Sequence, residues 1–110
     1  MKRRWRSLDK APLFLRVIGL GSRNPIHPGR FLETRYLIPL GLTQTEAAQR
    51  FGISRRRLNE ILQGHRGISP DTALRLALYF GTDVTLWLGL QAAWDAHQAW
   101  RALVRPKTIK

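Results

Sequence analysis

Residues 43–64 form two short amphipathic segments on either side of Gly52. Thr43 followed three residues later by Glu46 is the pattern of a helix-capping box, and Ser54 can cap a second helix. Apolar residues at positions 47, 51, 53, 58 and 61, with small residues at 48 and 52, give the two segments one common inner face. The pattern predicts two helices joined by a tight turn with positive φ at Gly52, as in a helix-turn-helix.

The outward face of the second predicted helix separates two interpretations of this pattern. An ordinary helical hairpin in a bundle would have the same caps and the same apolar spacing. Here, however, the first turn is Arg55-Arg56-Arg57, at the helix end where the backbone dipole favours anions. A helix that points its N-terminus at phosphates and guanine edges benefits from such residues, so the sequence favours DNA binding.

The predicted DNA contacts lie on or beside these two helices. They are Gln44, Thr45, Ser54, Arg55, Arg56, Arg57, Asn59 and Arg66. We expect Arg55 and Arg56 to contact base edges, and Asn59, one turn after Arg55, to read adenine. Arg57, Arg66 and Gln44 are expected to contact phosphates. A solvated surface side chain remains the alternative for each of them.

Three further helices are predicted around this motif. The first spans about residues 27–37 and is expected to stop at Pro39 and Gly41. The fourth begins after Ser69 and ends at Gly81, and the fifth, capped by Thr82 or Asp83, runs from about 84 to 103. The residues outside the motif that we expect in the core are Leu32, Tyr36, Leu37, Ala73, Leu74, Ala77, Leu78 and Phe80.

The fifth helix has an apolar stripe wider than a core of this size needs. It includes Leu86, Leu90, Trp94 and Trp100, and we expect these four residues to form a homodimer interface. One more core helix is the alternative.

Charge is concentrated at the two ends of the 110-residue chain, which has a net charge of +12. We predict a basic, partly disordered extension over residues 1–24, one globular domain over residues 25–104, and a basic tail over residues 105–110. A chain this basic is expected to associate with a polyanion, and nucleic acid is the usual one. No segment approaches the roughly 18 apolar residues that a membrane helix requires. The absence of cysteine fits a reducing compartment, so we expect a cytoplasmic protein without a membrane partner.

The sequence gives no support for catalysis. His27, His65 and His97 lie in different predicted elements without metal-ligand spacing, and no nucleophile–base–acid set or phosphate-binding glycine loop is present. We therefore expect no enzyme activity, no metal and no cofactor.

Several motifs together resemble one known family. They are Ile26-His27-Pro28-Gly29, Pro39-Leu40-Gly41-Leu42-Thr43-Gln44, Arg55-Arg56-Arg57-Leu58-Asn59-Glu60-Ile61, Gly64 to Leu76, Phe80-Gly81-Thr82 and Trp87-Leu88-Gly89-Leu90-Gln91. Over about residues 25–95, this combination looks like the HigA-type antitoxins of the XRE (Cro/C1-type) helix-turn-helix regulators. The resemblance implies an all-α, five-helix, lambda-repressor-like DNA-binding domain with a central helix-turn-helix.

The resemblance also implies two kinds of partner. One is palindromic operator DNA, bound by a homodimer that represses its own operon. The other is a HigB-like toxin, a ribosome-dependent mRNA endonuclease, which the antitoxin would neutralise. A stand-alone transcriptional regulator without a toxin remains the alternative function, and a small toxin gene directly upstream would favour the antitoxin.

Overall fold

The computed structural model describes residues 24–104, and every regular element in that range is helical. The first helix, α1, consists of an α-helical part Pro28–Leu32, a wider π-helical turn Glu33–Leu37 and a final turn Ile38–Leu40. It is followed by α2 (Gln44–Phe51), α3 (Arg55–Leu62), α4 (Pro70–Phe80) and α5 (Val84–Val104). The predicted all-α architecture of five helices around a helix-turn-helix is confirmed for this range. The predicted extension, apart from Asn24, and the predicted tail lie outside the described residues.

The predicted caps fix the starts of three helices. The Thr43 hydroxyl accepts from the Glu46 N–H at 3.1 Å, and the Thr43 N–H donates to the Glu46 carboxylate at 3.0 Å. The Ser54 hydroxyl accepts from the backbone N–H of Arg57, and the Ser69 hydroxyl serves α4 in the same way. These bonds satisfy donors that have no partner inside their own helix.

Of the two residues predicted to stop α1, Gly41 does so and Pro39 does not. The helix continues through Pro39 to Leu40 and ends at Gly41, where φ is +67°. A proline ring normally clashes with the carbonyl four residues earlier, here that of Arg35. The helix widens in the preceding turn, where the Ile38 N–H donates to the Glu33 carbonyl across five residues. This wider turn gives the ring the space that a regular α-helix would deny it.

The core is centred on Trp87, which is completely buried. Its indole N–H donates to the Thr82 hydroxyl at 2.8 Å, so its one polar atom is satisfied. The rings of Phe31, Tyr36 and Phe80 surround it at centroid distances of 5.5 to 6.2 Å. The other fully enclosed apolar side chains come from all of α1 to α4 and include Leu32, Leu37, Ala47, Ala48, Phe51, Leu58, Ile61, Ala73 and Leu76.

The predicted inner face of α4 is partly wrong. Leu74 and Leu78 are 52% and 83% exposed, whereas Thr72 and Leu76 are buried. Leu74 and Leu78 are four residues apart, as are Thr72 and Leu76. The helical period alone therefore does not show which face of α4 is buried. The buried face includes the small residues Ala73 and Ala77, which let α4 approach its neighbours closely.

Candidate nucleic-acid interface

The backbone of the turn between α2 and α3 requires glycine. Gly52 has φ +74°, a conformation that residues with a side chain rarely adopt. A Cβ at this position would also lie 2.7 Å from Nη1 of Arg75. The turn therefore fixes the angle between α2 and α3 while a guanidinium covers its surface.

The first turn of α3 presents two arginines to solvent. Arg55 and Arg56 are exposed, and the side chain of Arg56 is 88% exposed while its Nε lies 3.4 Å from a Glu60 carboxylate oxygen. An exposed ion pair of this kind contributes little to stability. Both side chains thus face solvent, and their contact with DNA stays a prediction.

Asn59 is joined to Gln44 across the two helices. The Asn59 side-chain amide donates to Gln44 Oε1 at 3.1 Å, and both residues are partly buried. Gln44 is the first residue of α2, so the bond links the beginning of α2 to the middle of α3. It fixes the orientation of Asn59 and leaves its carbonyl oxygen and second N–H for another partner.

Arg57 lies in a different environment from the other two arginines of the first turn. Its Nη2 donates to Thr72 Oγ1 at 2.6 Å, to Ser69 Oγ at 3.1 Å and to Asp71 Oδ2 at 3.2 Å. Only 29% of its side chain is exposed. The structure therefore places Arg57 against the beginning of α4 and not on the open face of α3.

Arg66, in the loop after α3, pairs with Glu60. Its Nε and Nη2 both lie 2.9 Å from Glu60 Oε1. The hydrogen bond from Arg66 is the largest cause of the lowered pKa of Glu60, and Arg56 adds to it. The carboxylate of α3 is therefore ionised at neutral pH but partly neutralised by two cations. Of the two remaining predicted contacts, Thr45 is exposed, and the Ser54 hydroxyl is exposed and caps α3.

Two residues that the sequence interpretation did not place at this site are Asp71 and Arg75. Asp71 Oδ2 accepts from Nε of Arg75 at 2.9 Å, and Nη1 of Arg75 donates to the backbone carbonyls of Phe51 and Gly52. The only signal in the sequence was the i, i+4 spacing of Asp71 and Arg75. That spacing predicts a pair on α4 but does not show that it reaches the turn between α2 and α3.

The residues predicted for a dimer interface are all partly buried within the chain itself. Leu86 and Leu90 pack against the core, and the Trp94 ring meets His27 edge-on at 5.0 Å. Trp100 lies further along α5 and is partly buried. None of the four is among the large apolar side chains that the structure leaves exposed, so their role between two chains stays a prediction.

Residues 24–104 provide no metal site and no membrane span. Within this range no three metal-ligating side chains come together. The three histidines are separate, since His27 caps α1, His65 lies in an exposed loop and His97 is buried on α5. None of the described helices combines the length and the apolar character needed to cross a bilayer.

Known proteins are similar to this chain in sequence. A family described as helix-turn-helix matches residues 35–87. Virulence-associated protein I of Dichelobacter nodosus is 47% identical over 81 residues, which cover 74% of this chain and 75% of that protein. An uncharacterized HTH-type transcriptional regulator of Escherichia coli, YbaQ, is 38% identical over 74 residues, covering 67% of this chain and 66% of its own length.

The structural comparison agrees with the sequence comparison. A solved structure of the Pseudomonas aeruginosa antitoxin HigA with the higBA promoter superposes with a TM-score of 0.69 at 35% identity, covering 71% of this chain and 85% of that chain. Fold, motif and sequence lead to one assignment: the chain belongs to the HigA-type family of XRE helix-turn-helix proteins.

Proposed function

We propose that this protein is the antitoxin of a HigBA-type type II toxin–antitoxin system. In this proposal it binds operator DNA sequence-specifically, represses its own operon and neutralises a HigB-like mRNA endonuclease toxin. The observation that carries the DNA-binding part is the first turn of α3, where Arg55 and Arg56 are exposed. Side-chain hydrogen bonds join this helix to α4 on one side and to α2 on the other. The similarity to a HigA structure that contains its promoter supports the same conclusion.

The proposed docking puts the N-terminal half of α3 in the major groove. Arg55 and Arg56 then reach guanine edges, and Asn59 offers adenine its free carbonyl oxygen and second N–H. Gln44 braces Asn59 from behind. Arg66 is close enough to Glu60 to reduce the repulsion between that carboxylate and the DNA backbone.

Phosphate contacts would hold the protein in register on the duplex. Gln44, Thr45, Ser54 and Arg66 lie at the ends of α2 and α3, where helix-turn-helix proteins meet the backbone. Such contacts carry no sequence information. We therefore assign the base preference to Arg55, Arg56 and Asn59.

A homodimer is part of the proposal. One α3 covers only a few base pairs, which is too little for selectivity against a genome. Two copies bound to a palindrome contact twice as many base pairs, in half-sites separated by one helical turn, roughly 34 Å. The apolar residues of α5 are the surface that we propose for this contact.

In vitro selection tests the DNA-binding proposal and does not require a defined operator. Wild-type protein is incubated with a pool of random duplexes, and bound duplexes are amplified and sequenced over several rounds. The proposal predicts a palindromic consensus that also occurs upstream of the protein's own gene. Recovery of unenriched random sequence would contradict it.

Co-expression distinguishes the antitoxin from a stand-alone regulator, the alternative that similarity to the regulator YbaQ supports. If a small reading frame lies directly upstream of the gene, it is induced alone and then together with this protein. An antitoxin restores growth and co-purifies with the product of that frame. Normal growth under induction of the upstream frame alone, with a palindromic consensus still selected, would favour the stand-alone regulator.

A further inference from the structure

Arg57 points away from its two neighbouring arginines because of helix geometry. Successive residues on an α-helix are rotated by about 100°, so three consecutive side chains cannot share one face. The turn that exposes Arg55 and Arg56 directs Arg57 toward α4. There its guanidinium meets the completely buried Thr72 and the capping hydroxyl of Ser69.

Asp71 connects this arginine to the opposite side of the motif. One oxygen, Oδ2, accepts from Arg57 at 3.2 Å and from Arg75 at 2.9 Å. Arg75 in turn donates to the carbonyls of Phe51 and Gly52, at 3.3 and 3.2 Å. These carbonyls end α2 and lack partners inside that helix. A single carboxylate on α4 is thereby tied to the end of α2 and to the first turn of α3.

We propose that Arg57, Asp71 and Arg75 form a clamp that sets the rotation and tilt of α3, and that Arg57 is a positioning residue for base recognition, not a DNA contact. The clamp holds α3 through its third residue, directly beside the two arginines that read the bases. A small rotation of α3 would displace both guanidinium groups from their hydrogen-bonding positions. The inference rests on the proposed function, because it explains how the same site reads sequence.

Substitution of Asp71 distinguishes the clamp from a simple effect of net charge, because the two predict opposite changes in affinity for the preferred duplex. If only net charge mattered, Asp71→Asn would remove a negative charge near DNA and tighten binding to every duplex. If the clamp matters, Asp71→Asn weakens binding to the preferred duplex and leaves binding to unrelated DNA unchanged or slightly tighter. The substitution is nearly isosteric and the side chain is 54% exposed, so the fold is expected to persist.

The experiment measures Kd by fluorescence anisotropy on two duplexes at several salt concentrations. One duplex is that selected from the random pool by wild-type protein, and the other is a shuffled duplex of equal length. Variants are Arg57→Gln, Asp71→Asn and the double substitution, with Glu33→Gln on α1 as a charge-matched control for Asp71→Asn. Circular dichroism melting shows which variants are folded.

The clamp predicts that both single variants lose affinity for the selected duplex alone, on the order of tenfold, a size typical of coupled pairs. The double variant should be no weaker than either single variant, and Glu33→Gln should match wild type. The salt dependence on the shuffled duplex should also be unchanged, because the phosphate contacts are the same in every variant. Equal weakening on both duplexes in Arg57→Gln, with the slope of log K against log salt reduced by about 0.9, would overturn the proposal and make Arg57 a phosphate contact.

Amide hydrogen exchange of the free protein gives a readout that does not depend on DNA. Faster exchange in α3, with α5 unchanged, is expected in both single variants if the clamp orders α3. Wild-type protein that fails to discriminate between the duplexes would contradict the proposed sequence-specific DNA binding, and with it the role of the clamp. Discrimination retained by both folded variants, with unchanged exchange in α3, would overturn the clamp alone.

Discussion

His27 shows how one side chain joins two helices. Its Nδ1 accepts from the Gly29 N–H at 2.9 Å and so caps α1, while its ring packs against Trp94 of α5. The nitrogen accepts this bond only when it carries no proton. Partial burial lowers the pKa of His27, although the Asp95 carboxylate acts in the opposite direction.

The lowered pKa predicts a loss of stability in acid. The pKa of this histidine is about 6.5 in the unfolded chain and lower in the folded protein. The stabilisation that the neutral His27 provides is therefore complete above the unfolded-state pKa. It is lost as pH falls through the folded value, because the unfolded chain binds the proton more readily. Asparagine is a good N-cap that does not titrate in this range. Melting temperatures between pH 7.5 and 5 should therefore fall more steeply for wild type than for His27→Asn, and parallel curves would contradict this assignment.

Single residues also show where sequence interpretation reaches its limit. The exposure of Arg55 and Arg56 followed from their position after a capped, apolar turn. The different environment of Arg57 did not follow, because it depends on where α4 lies in space. Helix geometry turns Arg57 away from Arg55 and Arg56, but no local signal shows which other helix it meets. The structure supplies that distinction through the partners on α4.

At the level of elements, caps and glycines were the most predictable features. Thr43, Ser54 and Ser69 begin their helices as expected, and the left-handed conformations at Gly41, Gly52 and Gly81 end theirs. These signals are local, so they can be read without the rest of the fold. The extension of α1 through Pro39 was mispredicted because the wider turn before it makes room for the proline ring. The inner face of α4 was mispredicted because it depends on packing against other helices.

Gly52→Ala and Gly89→Ala form a matched pair that tests the turn. Alanine at 52 would adopt a left-handed conformation and crowd Arg75, so we expect a loss of about 1–2 kcal/mol in the free energy of unfolding. Gly89 lies within α5 with open space around it, and alanine there should stabilise by about 0.5–1 kcal/mol. Urea denaturation followed by circular dichroism measures both, and a Gly52→Ala protein as stable as wild type would refute the strain argument.

For the whole molecule, the proposed dimer surface on α5 competes with an exposed apolar surface on α4. Trp100 is the better test on α5, because Trp94 packs against His27 within the chain. Leu78, 83% exposed on α4, provides the comparison. Trp100→Glu should give monomers in sedimentation velocity, since burying a charge in an apolar contact is unfavourable, and Leu78→Glu should remain dimeric.

Other results of that experiment would change the proposed assembly. A folded Trp100→Glu protein that stays dimeric while Leu78→Glu dissociates would move the interface to α4. Wild-type protein that is monomeric at micromolar concentration, yet binds one palindrome without cooperativity, would remove the homodimer.

The basic N-terminal residues are expected to add affinity without selectivity. Residues 1–25 contain seven lysines and arginines against one acidic residue. If these side chains bind phosphates, deleting residues 1–24 should flatten the dependence of log K on log salt by up to about 0.9 for each phosphate that is no longer neutralised. The ratio of affinities for selected and shuffled duplexes should stay constant. An unchanged slope would assign the segment a different role.

The central claim, that the first turn of α3 reads base edges, is tested most directly by the affinity ratio between the selected and the shuffled duplex at one salt concentration. Arg55→Ala and Arg56→Ala should each reduce the specific binding free energy by about 1–3 kcal/mol and relax base preference at one position. The control Arg35→Ala, which removes an exposed arginine of α1, should retain the wild-type ratio. A ratio near one for wild type, or a loss no larger in the α3 variants than in the control, would contradict the claim.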